Sequence, residues 1–338
     1  MGQAKKIEKV VVLGTGGTIA GTAASSSEQV AYTAAQLGVA QLMAALPGLD
    51  GVLDGRQLVM EQVAQLDSKD MDHATWQLLA RRCAHWLAQA DVGALVITHG
   101  TDTIEETAWF LQSVLQPSKP VVMVCAMRPA SSDEADGPQN LLDAFAVSAQ
   151  PLAAGVSVVC AGVIHSARDV QKVHPYRLDA FSSGDAGPLG EVSAAQVHWT
   201  LPSGATTAGG GKPDEQLLQR VMQSEVSQWP VVEVVLSHAG ASRRLVDALV
   251  ASGVAGLVVA GSGNATVHQA VQAALLDAQR RGVQVRRSSR CQEGRMVGNS
   301  SLWADVDGLT PLKARISLML ALLTESADCL SGSRGQRH

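Results

Sequence analysis

Three short segments concentrate the residue types that could carry covalent chemistry. Gly14-Thr-Gly-Gly-Thr-Ile-Ala-Gly21 is a glycine turn that can present the Thr18 hydroxyl while its backbone approaches a ligand closely. Thr98-His-Gly-Thr-Asp-Thr103 sets a hydroxyl and a carboxylate, Thr101 and Asp102, side by side after an apolar run. Arg168-Asp-Val-Gln-Lys172 supplies a lysine. A desolvated lysine can take the proton of a nearby hydroxyl, the logic of Ser–Lys hydrolases, so the combination could attack an acyl group. Each segment also has a plainer reading. The glycines could simply close a turn, and Lys172 alone would be a solvated charge. Thr103 reads as a helix cap three residues before Glu106, and Asp102 would suit a helix N-terminus. His99 reads as a buried, hydrogen-bonded histidine. Thr101 has no such structural duty.

Thr22 to Gln29 is small and polar, with nothing to anchor it. That suits a mobile lid carrying Tyr32 at its far end, or a surface loop without function. Other catalytic patterns are missing. The glycine run fails the dinucleotide fingerprint, because its sixth position is Ile19, and no Gly-Lys-Ser/Thr follows it. Neither a Gly-x-Ser-x-Gly elbow nor a His-Glu-x-x-His helix occurs, and the nine histidines do not cluster at ligand spacing. The sequence therefore calls for no metal and no cofactor.

The elements that would hold these loops are legible as alternating patterns. Val10–Leu13, Leu58–Val63, Ala94–Thr98, Val121–Cys125 and Val156–Val159 read as buried strands. Helical patterns fall between them at roughly 34–46, 69–90, 104–116 and 138–149. Pro120 and Pro129 bracket one strand and keep helices out of it. After a weakly patterned stretch the rhythm restarts. Val231–Leu236 leads to a helix from about Ser242, Gly256–Ala260 to one from about Thr266, and Gly282–Val285 precedes a last helix at Pro311–Leu323. The expected class is α/β. A larger N-terminal domain over 1–200, with a mostly parallel sheet flanked by helices, is joined by a linker at 201–230 to a smaller α/β domain over 231–338. Gly204–Pro213 is the linker's most linker-like part.

Composition narrows the function classes. The 338 residues exceed the usual size of a single core, which agrees with two domains. Only 3% are aromatic (six Trp, three Phe, two Tyr), so Ala, Val and Leu must build the core, and Tyr32 is one of just two tyrosines. The net charge of −5 offers no basic excess to a phosphate backbone, which argues against nucleic acid. The five cysteines are scattered, with no disulfide framework and no Cys-x-x-Cys spacing; Cys125 and Cys160 read as small core residues. The first apolar run, Val10–Leu13, is too short for a signal peptide or a membrane span, so the expectation is a cytoplasmic protein without membrane attachment.

Taken together, the loops resemble the bacterial-type L-asparaginase family, which includes glutaminase-asparaginases. The resemblance is carried by Thr15-Gly-Gly-Thr-Ile-Ala-Gly21, Ile97-Thr-His-Gly-Thr-Asp-Thr-Ile-Glu-Glu-Thr107 and Ala126-Met-Arg-Pro129. It continues through Ala135-Asp-Gly-Pro138, Asn140, Gly187-Pro-Leu-Gly190, Arg287-Ser-Ser-Arg290 and Lys313-Ala-Arg315. It spans the chain from about Val10 to Leu323, and the first two motifs are highly specific as a pair.

What the resemblance implies is an amidohydrolase that converts L-asparagine and water to L-aspartate and ammonia through a threonine acyl-enzyme. It makes Thr18 the nucleophile, with Tyr32 beside it to relay its proton. Thr101, Asp102 and Lys172 form a second catalytic cluster. Ser68 holds the substrate α-carboxylate and Asp102 faces the α-ammonium, a pairing that a zwitterionic substrate requires. It further implies self-association as a homotetramer, a dimer of dimers. Two features depart from the periplasmic members. Lys69 replaces a glutamine after the binding serine, placing a cation where the substrate ammonium would sit. The segment Cys291–Gly298 is short, and the acidic residue that a neighbouring subunit contributes there has no placed counterpart, Glu293 being the candidate. A broad-specificity glutaminase-asparaginase is the nearer alternative, followed by the amidase subunit of a tRNA-dependent amidotransferase, which would need an added N-terminal domain. A non-catalytic amino-acid sensor with the same fold is the alternative from another class; it would have no need of two hydroxyl nucleophiles.

Overall fold

The computed structural model describes residues 8–28, 32–200, 214–298, 302–306 and 308–332. The chain divides into two compact units, Met1–Pro213 and Asp214–His338. The fold is α/β, as the alternating pattern predicts.

In the first unit the five β-branched runs form the strands Lys9–Gly16, Gln57–Leu66, Val92–Thr98, Pro120–Val124 and Gly155–Cys160. They lie parallel to their neighbours, with Lys9–Gly16 between Gln57–Leu66 and Val92–Thr98. Val10 and Val12 face a core shared with Ala94, Val96, Val122, Val124 and Phe145. The alternate residues Val11, Leu13, Leu95 and Ile97 are also fully buried, so helices cover both faces of the sheet. Few aromatics are needed. Trp76 stacks on Phe110 with ring centroids 4.9 Å apart, and its indole N–H donates to the Thr107 hydroxyl at 2.9 Å, joining helix His73–Leu87 to helix Ile104–Leu115.

Three further strands extend the sheet antiparallel: Val163–Ser166, Gly190–Ser193 and Gln196–Trp199. The sequence reading has no strand at these positions. One reason is the turn between the last two. Ala194 and Ala195 both take positive φ, 49° and 60°, the conformation that normally advertises itself by Asn or Gly. Alanines in that turn carry no signal.

The second unit is built on the parallel strands Val232–Leu236, Gly256–Gly261, Gln284–Ser289 and Ala304–Asp305, with helices Arg244–Ala251, Gln269–Arg280 and Pro311–Gly332. The expected linker differs from what is found. Residues 214–230 hold helix Glu215–Gln223, whose N-terminus is capped by the Asp214 carboxylate accepting from the Gln216 and Leu217 amides at 3.0 and 3.1 Å. Val221 and Trp229 from this segment are buried, which a free linker would not allow. The Gly204–Pro213 stretch lies outside the described residues. Cys83, Cys125 and Cys160 are buried free thiols and Cys291 is an exposed one. No helix among the described residues is long and apolar enough to cross a membrane.

Candidate active site

Three adjacent parallel strands end on the same side of the sheet, and the loop after each carries one part of the candidate site. Thr18 follows Lys9–Gly16, Ser68 follows Gln57–Leu66, and Thr101 follows Val92–Thr98. This is where open parallel sheets place their ligands. The loops touch backbone to backbone. A Cβ added at Gly17 would lie 2.3 Å from the Gly100 Cα, and one added at Gly100 would lie 2.4 Å from the Ser68 Oγ. Gly17 also has φ +81°, a region that side chains avoid. Both glycines are therefore required by the contact between the loops.

Thr18 opens a single 3-10 turn, Thr18–Ala20, and is buried at 7% exposure. Its Oγ1 is 2.7 Å from the Tyr32 hydroxyl, so the two residues that the resemblance pairs do meet. Tyr32 sits on a two-residue ribbon, Tyr32–Thr33, paired antiparallel with Thr22–Ala23. The intervening lid differs from the expectation of a loop with nothing to anchor it. The Ala23 amide donates to the Ser131 hydroxyl at 2.8 Å, the Ser26 hydroxyl donates to the Asp133 carboxylate at 2.8 Å, and the Ala130 amide donates to the Gly21 carbonyl at 2.9 Å. Small polar residues anchor through hydrogen bonds to a distant loop, which a search for apolar anchors misses. Gln29, the last residue of the expected lid, lies outside the described residues.

The second cluster is equally compact. The Lys172 ammonium donates to the Thr101 hydroxyl at 2.8 Å and to the Asp102 carboxylate at 2.6 Å. The lysine side chain is 18% exposed while the Asp102 side chain is 53% exposed, so this carboxylate stays open to solvent. Thr103 corrects a local reading. It occupies the N-cap position of helix Ile104–Leu115 without a capping side-chain bond, and its hydroxyl donates instead to the Ser68 carbonyl at 2.7 Å. The Ser68 hydroxyl in turn accepts from the Asp102 amide at 3.2 Å. Thr103 straps the second and third loops together.

Lys69 stands apart from this network. It is exposed, its ammonium hydrogen-bonds the neighbouring Asp70 carboxylate, and Asp67 lies 3.9 Å away. The Asp70 hydrogen bond holds the Lys69 ammonium above its ordinary range. A paired, solvated cation exerts little field on a ligand nearby. For the amide substrate that the resemblance implies, Lys69→Gln is accordingly expected to change KM by less than about two-fold, where an unpaired cation beside the substrate ammonium would give a fall of ten-fold or so. Initial-rate kinetics at low and high salt decide between the two.

His99 is fully buried, with Nδ1 2.8 Å from the Gly100 carbonyl oxygen, and burial pushes its pKa down to about 4. It is neutral at physiological pH, in line with the buried reading. Two residues escaped the sequence reading. Glu105, buried on the first turn of its helix, accepts from the Lys172 backbone amide at 2.7 Å. Arg128, the arginine of the Ala126–Pro129 motif, lies over the Tyr176 ring at 4.1 Å and donates to the Tyr176 carbonyl at 2.9 Å, clamping the segment that follows Lys172. No stretch of sequence announces either pairing, because the partners are 67 and 48 residues apart. Among the described residues no cluster of three His, Cys, Asp or Glu side chains is arranged to hold a metal ion.

Residues 9–203 match the family model described as Asparaginase, N-terminal, and residues 231–328 match the Glutaminase/Asparaginase C-terminal domain. The chain is 37% identical to a glutaminase-asparaginase of Pseudomonas fluorescens biotype A, covering 96% of this chain and 88% of the relative. It is 35% identical to an L-asparaginase 2 of Bacillus subtilis (strain 168), covering 94% and 83%. Among solved structures, that of a probable cytoplasmic L-asparaginase from Campylobacter jejuni superposes with a TM-score of 0.83 at 36% identity, over 93% of this chain and 95% of that one.

Proposed function

The chain belongs to the asparaginase family, and from that premise we propose that it hydrolyses the side-chain amide of L-asparagine to L-aspartate and ammonia. The observation that carries the reading is the meeting of two hydroxyl centres, Thr18 with Tyr32 and Thr101 with Lys172 and Asp102, on loops that touch at Gly17 and Gly100. The Tyr32 hydroxyl relays the proton, accepting that of Thr18 while passing its own to the departing nitrogen, as Oγ1 attacks the amide carbonyl. Ammonia leaves with that proton, and the aspartyl ester on Thr18 awaits water. Backbone N–H groups of the two threonine loops face the developing oxyanion; such donors are worth about 3 kcal/mol each. Water held at Thr101, whose hydroxyl accepts from Lys172, attacks the ester carbonyl; its proton passes through the Tyr32 hydroxyl to Thr18 Oγ1 as the ester C–O bond breaks, which frees aspartate and restores the threonine. The Ser68 hydroxyl binds the substrate α-carboxylate, and the exposed carboxylate of Asp102 receives the α-ammonium.

Broad use of glutamine is the second reading, favoured by the glutaminase-asparaginase relative. Assembly as a homotetramer agrees with family membership and with the exposed apolar side chains of Val173, Tyr176 and Leu178 just after Lys172. Cytoplasmic residence is supported by the free thiols at Cys83, Cys125 and Cys160 and by the description of the Campylobacter jejuni protein. The deciding experiment is an ammonia-release assay with asparagine and with glutamine, on protein whose mass in solution is measured by light scattering. Release from asparagine at a higher kcat/KM than from glutamine is expected. No ammonia from either amide would leave the sensor reading standing.

A further inference from the structure

Lys172 is held at both ends by a single five-residue segment. Its ammonium donates to Thr101 and Asp102, and its backbone amide donates to the Glu105 carboxylate at 2.7 Å. We infer that Glu105 is a positioning residue for Lys172, fixing the base of the lysine so that its flexible stem delivers the ammonium to Thr101. The inference rests on the catalytic reading of Thr101 and Lys172 above.

Three observations support it. Lys172 lies on a strand of only two residues, Gln171–Lys172, whose single neighbour is Phe181–Ser182. Ribbons this short have little stability of their own, so the strand needs an outside anchor. Second, Glu105 is 7% exposed, and a buried carboxylate is costly unless it accepts hydrogen bonds. The Lys172 amide is one donor that satisfies it. Third, the same helix face repeats the device two turns on, where the Gln112 side-chain carbonyl accepts from the Val156 amide at 2.8 Å. Helix Ile104–Leu115 thus grips the start of strand Gly155–Cys160 and the Lys172 ribbon, while its N-terminal approach carries Thr101 and Asp102. The nucleophile-activating pair and the lysine that serves it share one rigid frame. A lysine stem has several rotatable bonds to order, and fixing its root reduces the volume that the ammonium must search.

A favourable helix-end charge alone would also place a glutamate here, so the test must separate positioning from stability. The experiment is a double-mutant cycle in the full-length protein, comparing wild type, Glu105→Ala, Lys172→Met and the double variant by kcat and KM for asparagine. Glu105→Gln is added, because its amide oxygen can still accept from the Lys172 amide. Glu105→Ala is expected to lower kcat about 30- to 100-fold with KM within about two-fold, the scale for a displaced catalytic group. In the Lys172→Met background the same change should cost less than about two-fold, since no lysine remains to be placed. Glu105→Gln should recover kcat to within about five-fold of wild type. Equal losses in both backgrounds, or a Glu105→Gln variant as slow as Glu105→Ala, would overturn the inference. A Lys172→Met enzyme with wild-type kcat would instead sink the catalytic reading of the lysine. Thermal melts followed by circular dichroism set the assay temperature below unfolding for every variant.

Discussion

Thr18→Ala should lower kcat for asparagine by about 10⁴-fold and leave KM within a few-fold, the pattern of a lost covalent nucleophile. Removing the hydroxyl deletes the atom assigned to form the aspartyl ester, while the groups assigned to the two ends of the substrate, Ser68 and Asp102, stay on other loops. The pocket side is also little disturbed. Thr18 is buried, and alanine omits only the hydroxyl and a methyl from a turn whose backbone is held by the Ala20 and Gly21 amides. Thr101→Val is the informative partner. It removes the acceptor of the Lys172 hydrogen bond and is expected to stall the second half-reaction. Its signature is an aspartyl adduct seen by mass spectrometry after mixing with asparagine, and its release by hydroxylamine. An adduct on Thr18→Ala, or wild-type turnover by that variant, would transfer the role of nucleophile to Thr101.

The two threonine loops were legible because strand ends in an alternating α/β sequence are where chemistry collects, and because hydroxyls next to glycines are conspicuous there. The sequence reading of Thr18, Tyr32, Thr101, Asp102 and Lys172 names residues that do meet in two groups. What stayed hidden was the partner of each supporting side chain. Thr103 looks like a helix cap in any local window, yet its hydroxyl goes to the Ser68 carbonyl 35 residues away. Glu105 looks like the acidic first turn of a helix, yet it accepts from Lys172. The lid looks unanchored, yet Ser131 and Asp133 hold it. In every case the residue type was right for two jobs, and only tertiary distance chose between them. Lys69 is a nearer case of the same kind: the sequence reading set its cation beside the substrate ammonium, whereas its ammonium pairs with the carboxylate of the next residue, Asp70.

Gly17→Ala is expected to damage stability and turnover together, because this glycine answers two demands at once. Its backbone lies at φ 81° and ψ −174°, a region essentially reserved for glycine and worth about 1–3 kcal/mol of strain to any other residue. Its Cα also faces the Gly100 backbone, where an added Cβ would sit 2.3 Å from both Cα and N. Neither atom belongs to a flexible side chain, so a loop must move. Overpacking of this kind costs a further 1–3 kcal/mol or so. Gly187 supplies the control. It shares the conformation, φ 69° and ψ 170°, but an added Cβ would meet nothing within 4 Å. Gly187→Ala should therefore lose only the strain, about 1–3 kcal/mol in urea unfolding, and keep most of its activity. Gly17→Ala should lose about 2 kcal/mol more than Gly187→Ala and, even where fully folded, turn over at least about 100-fold more slowly, since the wedge separates the loops that carry Thr18 and Thr101. Equal losses in the two variants would mean that backbone conformation alone demanded glycine at position 17. The contact that brings the two hydroxyl centres together would then have to be sought elsewhere.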